Sequence, residues 1–248
     1  MTLKCLETYP QSNKVIVFAN TGQEHPETYA FIKNFISKYN VNIKTVEIDL
    51  ENKYKLVSFN TMKRDGSLFE KMVQKYGIPN QGFPHCTREL KTRPMKAFVR
   101  DYFGTTKYHT AIGIRSDEVD RIPENYRKMR YIYPLADLGI TKKDIDTFWD
   151  NQSFKLNIPN YLGNCVWCWK KTMSKHKAIA LEYPHWYDVP RFLEKKYRIN
   201  KIESQKKRYG NVQTFFRKRL SALDILKGVK IEKDEGFNSC QESCEAFN

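Results

Sequence analysis

The stretch Val15 to Thr28, VIVFANTGQEHPET, decides the fold because its character changes three times within fourteen residues. Val15 to Ala19 is a short apolar, largely β-branched run without alternation, the pattern of an interior strand buried on both faces of a parallel sheet. Asn20, Thr21 and Gly22 then supply a turn. Pro26 stands where a first helical position tolerates it, with Glu24 and Glu27 near the positive helix end. The following TYAFIKNFISKYN puts Tyr29, Phe31, Ile32, Phe35 and Ile36 on roughly one helical face, and NIKTVEIDL reads as a second strand. Together they form one βαβ unit. Ligands of such units bind beyond the carboxyl ends of the strands, so the Asn20–Glu24 turn is the first candidate for a nucleotide site. Plain turn chemistry is the competing reading of the same residues.

Upstream, MTLKCLETYP carries Leu3 and Leu6 at helical spacing and ends in Tyr-Pro, the end of an amphipathic helix. Downstream, Gly66 precedes a helical SLFEKMVQKYG, and IPNQGFPHC is a loop that presents Cys86. CTRELKTRPMKAFVRDYFG then sets Arg88, Lys91, Arg93 and Lys96 within one or two helical turns, with an interruption expected at Pro94. Such a cluster suits phosphate neutralisation and would lower the pKa of the Cys86 thiol; a solvated basic helix with a structural cysteine is the alternative. In YHTAIGIRSDEVDR, Tyr108 to Ile114 reads as a buried strand with Arg115, Asp117, Glu118 and Arg121 beyond its carboxyl end. Paired arginines clamp anions, and Asp117 or Glu118 would orient them or hold a metal ion. A surface salt-bridge cluster is the plainer account.

YIYPLADLGITKKDIDTFWD gives a short strand and then a helix capped by Thr141 with Asp144 three residues on. The loop FKLNIPNYLGN delivers Cys165-Val166-Trp167-Cys168. Beyond it lie a helix, breaks at Pro184 and Pro190, a basic helical segment from Arg191 to Lys230, and a tail with Cys240 and Cys244. The thiolates of Cys165, Cys168, Cys240 and Cys244 are enough for tetrahedral zinc or an iron–sulfur cluster, and Cys86 could replace one of them. Buried free cysteines beside Trp167 and Trp169, or a redox dithiol, remain open.

A chain of 248 residues suits one α/β domain, residues 1–160, with a smaller appended region, residues 161–248. The 40% hydrophobic and 14% aromatic residues argue against disorder. No apolar run reaches membrane-spanning length and no signal-peptide core opens the chain, so a cytoplasmic protein is expected. Six cysteines spread this unevenly do not make a disulfide scaffold. The net charge of +15 is concentrated: residues 191–230 hold 13 Lys or Arg against 3 acids, whereas residues 1–60 hold 7 against 6. Tyr197, Tyr209, Phe215 and Phe216 stand among those charges, a mixture that would hold DNA or RNA through residues 191–219, although a solvated helix pair explains it as well.

Taken in order, ANTGQEHPET, the Cys86–Pro94 segment with Lys91, Gly113-Ile114-Arg115 with Glu118 and Arg121, Tyr133-Pro134-Leu135 before a helix, and the LGNCVWC knuckle resemble the phosphoadenosine phosphosulfate reductase family of the adenine nucleotide α-hydrolase, or PP-loop, superfamily. The resemblance covers about Val15 to Lys171 and is nearest to small phage and bacterial members. It implies a Rossmann-like parallel sheet flanked by helices, with a C-terminal helical, cysteine-containing extension. It also implies that Asn20, Thr21 and Gly22 lie near an adenosine, and that Gly113, Arg115, Glu118 and Arg121 lie toward a phosphate or sulfate supported by Lys91. Catalytic roles would fall to Cys86, Arg115 and Glu118, with ATP or phosphoadenosine phosphosulfate as the nucleotide. The chain departs from the pattern in three ways. The Ser-Gly-Gly phosphate loop and first strand expected of the superfamily are not seen; His85-Cys86 stands for a Cys-Cys pair; and the tail lacks Glu-Cys-Gly. The expected function is adenine-nucleotide handling in sulfur transfer or nucleotide activation, with nucleic acid as a further substrate class, and the alternative is a non-catalytic nucleotide- or nucleic-acid-binding remnant.

Overall fold

A computed structural model describes residues 1–159 and 161–228. Cys240 and Cys244 lie outside the described residues. The chain opens with helix α1 (Thr2–Thr8), strand β1 (Ile16–Ala19), helix α2 (Pro26–Tyr39) and strand β2 (Ile43–Asp49), as the βαβ reading requires. Strand β3 (Lys53–Val57) follows and pairs antiparallel with β2, Val46 opposite Leu56 and Ile48 opposite Tyr54. The sheet order is β1-β2-β3. The expectation of an interior β1 is therefore corrected. β1 is the end strand and only half-buried apart from Ala19, while β2, with Thr45 to Ile48 all buried, is central.

Helix α3 (Ser67–Tyr76) buries Leu68, Phe69, Met72 and Val73. The basic segment then enters a π-helical turn, Arg88–Thr92, that runs without interruption into helix α4 (Arg93–Phe103). Pro94 was expected to break the helix. It has no amide to donate, and the turn before it widens so that the Arg93 amide reaches the Arg88 carbonyl instead. The strand expected over Tyr108 to Ile114 is reduced to β4 (Thr110–Ala111), parallel to the equally short β5 (Tyr131–Ile132). Helix α5 (Pro134–Asp137) precedes helix α6 (Lys142–Asp150), which starts on the expected Thr141–Asp144 capping box. Helices α7 (Met173–Glu182), α8 (Asp188–Tyr197), α9 (Glu203–Tyr209) and α10 (Ala222–Leu226) complete the described chain. Pro190 falls in the first turn of α8, where its missing amide costs nothing.

Two compact units are present. The first comprises Met1–Ile16, Phe31–Ile43 and Phe98–Asn157; the second comprises Val17–Ala30, Lys44–Ala97 and the chain from Ile158 onward. Within the first, Phe31, Phe35, Trp149 and Phe154 form an aromatic cluster, with Phe31 and Trp149 centred 4.9 Å apart. Within the second, Ile48, Met72, Ile78, Leu90, Trp167, Leu193 and Phe215 belong to one continuous core. Burying large side chains there stabilises the unit by about 1.5–3 kcal/mol each before entropy is charged against it. Among the described residues no helix is long and apolar enough to cross a membrane.

Candidate functional site

The turn after β1 is built on a buried hydrogen-bond network in the second unit. Asn20, Thr21, Gln23 and Glu24 are all buried. The Glu24 carboxylate accepts from the Thr21 hydroxyl at 2.6 Å and from the Thr21 amide at 3.2 Å, and the Tyr29 hydroxyl lies 3.0 Å from both Glu24 Oε2 and Asn20 Oδ1. Asn20 Oδ1 also takes the Gly22 amide at 3.1 Å. The Asn20 side-chain amide donates to Glu47 Oε1 at 2.7 Å and to the Lys63 carbonyl at 2.8 Å, and the Lys63 amide returns to the same Glu47 oxygen at 2.7 Å. Gly22 has φ +75°, which favours glycine, and a Cβ there would stand a tight 3.2 Å from the Lys63 carbonyl. Burial and the neighbouring Glu24 charge push the Tyr29 phenol well above its ordinary range. The Arg64 guanidinium lies over the Tyr29 ring, 4.4 Å from its centroid, and 5.2 Å from that of Phe59.

The same turn is tied to the cysteine knuckle. Glu24 bridges to Cys165 in antiparallel fashion, the Val166 amide donates to the Gln23 carbonyl at 3.1 Å, and the His25 amide to the Asn164 carbonyl at 2.6 Å. Trp167, almost fully buried, donates its indole N–H to Gln23 Oε1, and the buried Lys171 ammonium caps the Cys165 carbonyl. Cys165 and Cys168 are half-buried thiols outside any disulfide among the described residues. Two thiolates on one turn are half of a tetrahedral donor set. Among the described residues no group of three or more His, Cys, Asp or Glu side chains gathers as a metal site.

Cys86, also half-buried and outside any disulfide among the described residues, begins the helical segment that contains the π turn, on the core side of the second unit. Two of its expected basic neighbours are otherwise committed. Glu89, its side chain 1% exposed, accepts from Arg88 at 2.7 Å and from Arg93 at 2.7 Å. Burial alone would raise the Glu89 pKa, but the two guanidinium hydrogen bonds outweigh it and hold the carboxyl below its ordinary value. Lys91 is half-buried on the same turn. His85 is buried, with its ring 3.1 Å from the Gly77 carbonyl and its pKa lowered by desolvation.

In the first unit, Gly113 is exposed and leads into the predicted anion cluster. Arg115 pairs with Asp117 at 2.9 Å and with Glu118 at 3.2 Å, and Glu118 reaches Arg121 at 2.7 Å. Glu118 thus bridges both arginines, and Asp117 pairs with Arg115 alone. The Arg115 pKa is raised against the pull of burial, by the Asp117 hydrogen bond and the charges of Glu118 and Asp117. Asn20, Thr21 and Gly22 are therefore gathered in the second unit with Cys165 beside them, and Arg115, Glu118 and Arg121 are gathered in the first.

The model of the phosphoadenosine phosphosulfate reductase domain matches residues 1–132, more than half of the chain. The chain belongs to the phosphoadenosine phosphosulfate reductase domain family. The matched span of this reductase-family domain includes the turn, Cys86, Lys91 and the arginine cluster, and ends before the cysteine knuckle. It is 34% identical over 168 residues to an uncharacterised nin region protein, ORF290, of Escherichia phage lambda, a match covering 64% of this chain and 57% of the phage protein. It is 24% identical over 163 residues to an uncharacterised protein of Methanocaldococcus jannaschii, covering 64% of this chain and 31% of that protein. The match thus spans 57% of the length of the phage relative and 31% of that of the archaeal one. No solved structure matches it significantly.

Sequence reasoning places Gln23 and Glu24 in the candidate turn without their roles in the network, and misses Tyr29 as a hydrogen-bonding group, Glu47 and Arg64. Glu47 carried a usable signal. It stands between Val46 and Ile48 in the fully buried middle of its strand, and an acid there must find partners.

Proposed function

We propose that this family member handles an adenine nucleotide, ATP or phosphoadenosine phosphosulfate, in a sulfur-transfer or nucleotide-activation reaction. The observation that carries the reading is the Asn20–Glu24 turn at the carboxyl end of β1, held rigid by Glu24, Tyr29 and Glu47 within a phosphoadenosine phosphosulfate reductase domain. Asn20, Thr21 and Gly22 are assigned to the adenosine, with Lys91 as a supporting cation. Cys86 is the candidate nucleophile. Gly113, Arg115 and Arg121 form the anion-binding element of the first unit, positioned by Glu118, and electrostatic stabilisation of charge developing on phosphorus or sulfur is their chemistry. Cys165 and Cys168 would supply half the ligands of zinc or an iron–sulfur cluster, to be checked by metal analysis and visible absorption. Calorimetry of the whole chain with ATP and with phosphoadenosine phosphosulfate tests the reading. Saturable binding of either supports it, and a folded sample that binds neither at millimolar concentration overturns it in favour of a non-catalytic remnant.

A second reading, nucleic acid as partner, draws on the turn Arg217–Arg219. Lys218 and Arg219 both adopt left-handed backbone, φ 56° and 58°, at about 1–2 kcal/mol per residue. Their side chains are exposed and pair with no carboxylate among the described residues. Strain that holds adjacent cations outward fits a phosphate-backbone contact. Retention on DNA or RNA that falls steeply with salt supports it, and retention indifferent to salt overturns it.

A further inference from the structure

The nucleotide turn is poor in free donors. Most of its amides are turned inward: Thr21 to Glu24, Gly22 to Asn20 Oδ1, His25 to the Asn164 carbonyl, Glu27 to His25 Nδ1 and Thr28 to the His25 carbonyl, which leaves those of Gln23 and Glu24. Two carboxylates, Glu24 and Glu47, are buried beneath it, and neither has an ion-pair partner among the described residues. A phosphate arriving at such a turn meets acceptors and negative charge, so an anionic ligand needs a cation supplied from elsewhere.

Arg64 meets that need. Its backbone is placed by its neighbour, for the Lys63 amide and carbonyl are both fixed to the turn's network through Glu47 and Asn20. Its guanidinium is oriented by Tyr29 and Phe59, at 4.4 and 5.2 Å from their centroids, an arrangement that leaves the N–H groups at the planar edge. The adjacent Asp65 is occupied by the Ser67 amide and hydroxyl at 3.0 and 2.6 Å. Arg64 is exposed, and among the described residues no acceptor takes a hydrogen bond from it. A planar fork of donors, held over an aromatic floor beside an adenosine turn, matches paired phosphate oxygens.

We infer that Arg64 contacts the phosphate of the bound adenine nucleotide and selects nucleotides over nucleosides. The inference rests on the nucleotide reading given above and names a specificity-determining residue for it. The experiment is calorimetry of the whole chain with ATP and, separately, with adenosine, for the unaltered protein, Arg64→Gln and Arg64→Lys. Loss of one charge-assisted pair should weaken ATP binding about 10- to 100-fold in Arg64→Gln while adenosine binding changes less than about twofold. Arg64→Lys, which keeps charge but loses the fork, should fall between. ATP binding undiminished in Arg64→Gln overturns the inference and leaves the nucleotide reading standing. Equal losses for adenosine and ATP would make Arg64 a prop for the turn and also overturn it. An unaltered protein that binds neither ATP nor adenosine, nor phosphoadenosine phosphosulfate in a parallel titration, removes the nucleotide reading itself.

Discussion

Glu47 offers the sharpest test of how the turn is held, because two donors converge on one of its oxygens. The Asn20 side-chain amide and the Lys63 backbone amide both lie 2.7 Å from Oε1. Glu47→Ala leaves both donors buried without an acceptor. At about 1.5–3 kcal/mol for a hydrogen bond to a charged group, and with partial relaxation, the expected loss is about 3–5 kcal/mol. That is a large share of the roughly 5–15 kcal/mol by which a domain is stable. Glu47→Gln keeps a carbonyl oxygen able to take both donors and also removes an unpaired buried charge, so it should stay within about 1 kcal/mol of the unaltered protein. Urea unfolding followed by tryptophan fluorescence measures both, and four tryptophans give ample signal. If Glu47→Ala unfolds within about 0.5 kcal/mol of the parent, the network does not hold the turn. If Glu47→Gln is as damaging as Glu47→Ala, charge rather than acceptor geometry is what matters, and the reasoning fails in a different place.

Two further outcomes are expected. Gly82→Ala would set a Cβ 1.9 Å from the Tyr209 ring and displace α9 from the loop leading to Cys86, costing about 1–3 kcal/mol in urea unfolding; an unchanged midpoint would mean that Tyr209 does not seat there. Burial pushes the Glu194 carboxyl up to about 7, so its folded pKa exceeds the unfolded one and its contribution is complete below about pH 4.5 and is lost as pH rises through about 7. Glu194→Gln should flatten that decline in a plot of melting temperature against pH. Buried neutral His176, with its pKa lowered to about 3, works the opposite way as pH falls below about 6.5, so the difference between variant and parent is the readout, and parallel curves would refute the assignment.

What was legible in the sequence was what is decided locally. The run Val15–Ala19, the turn and the helix from Pro26 are set by residues a few positions apart, and the Thr141–Asp144 capping box by residues three apart. β3 escaped notice because Lys53, Lys55 and Leu56 are exposed, so the strand has neither a buried run nor an apolar face. Tyr108 to Ile114 promised a full strand, yet β4 finds in β5 a partner only two residues long, and the ladder stops there. The Asn20 contacts with Glu47 and Lys63 span 27 and 43 residues, and no local pattern announces which acid or which carbonyl will be brought to an asparagine. The arginine cluster was readable as a cluster. Glu118 as its bridge had to be seen in three dimensions.

The basic C-terminal segment reads from the sequence as a nucleic-acid surface or a solvated helix pair, and its inward side has a separate task. Buried Gln213 accepts from the Ile78 amide at 2.9 Å and donates to the Tyr197 carbonyl at 2.9 Å, while buried Gln205 donates to the Tyr76 carbonyl at 3.0 Å. The Tyr209 ring closes on Gly82 and on Phe83, 4.7 Å between centroids. These contacts hold the loop from Gly77 to Pro84 that delivers His85 and Cys86. Lys207, Arg208, Lys218 and Arg219 are exposed on the same segment. The two sides make separable demands. Charge reversal at Lys207 and Arg208 should cut nucleic-acid retention at low salt, since each lost phosphate contact lowers the salt slope by about 1, and should leave the rate at which Cys86 reacts with a thiol reagent unchanged. Gln213→Ala should do the reverse, because the Ile78 amide loses its buried acceptor and the loop over Cys86 opens more often. Cys5, Cys165 and Cys168 likewise form no disulfide among the described residues, so labelling is read at Cys86 by peptide mass. If charge reversal changes Cys86 labelling as much as Gln213→Ala does, the two sides are one cooperative element, and a partner docked on the basic face would then control exposure of the candidate nucleophile directly.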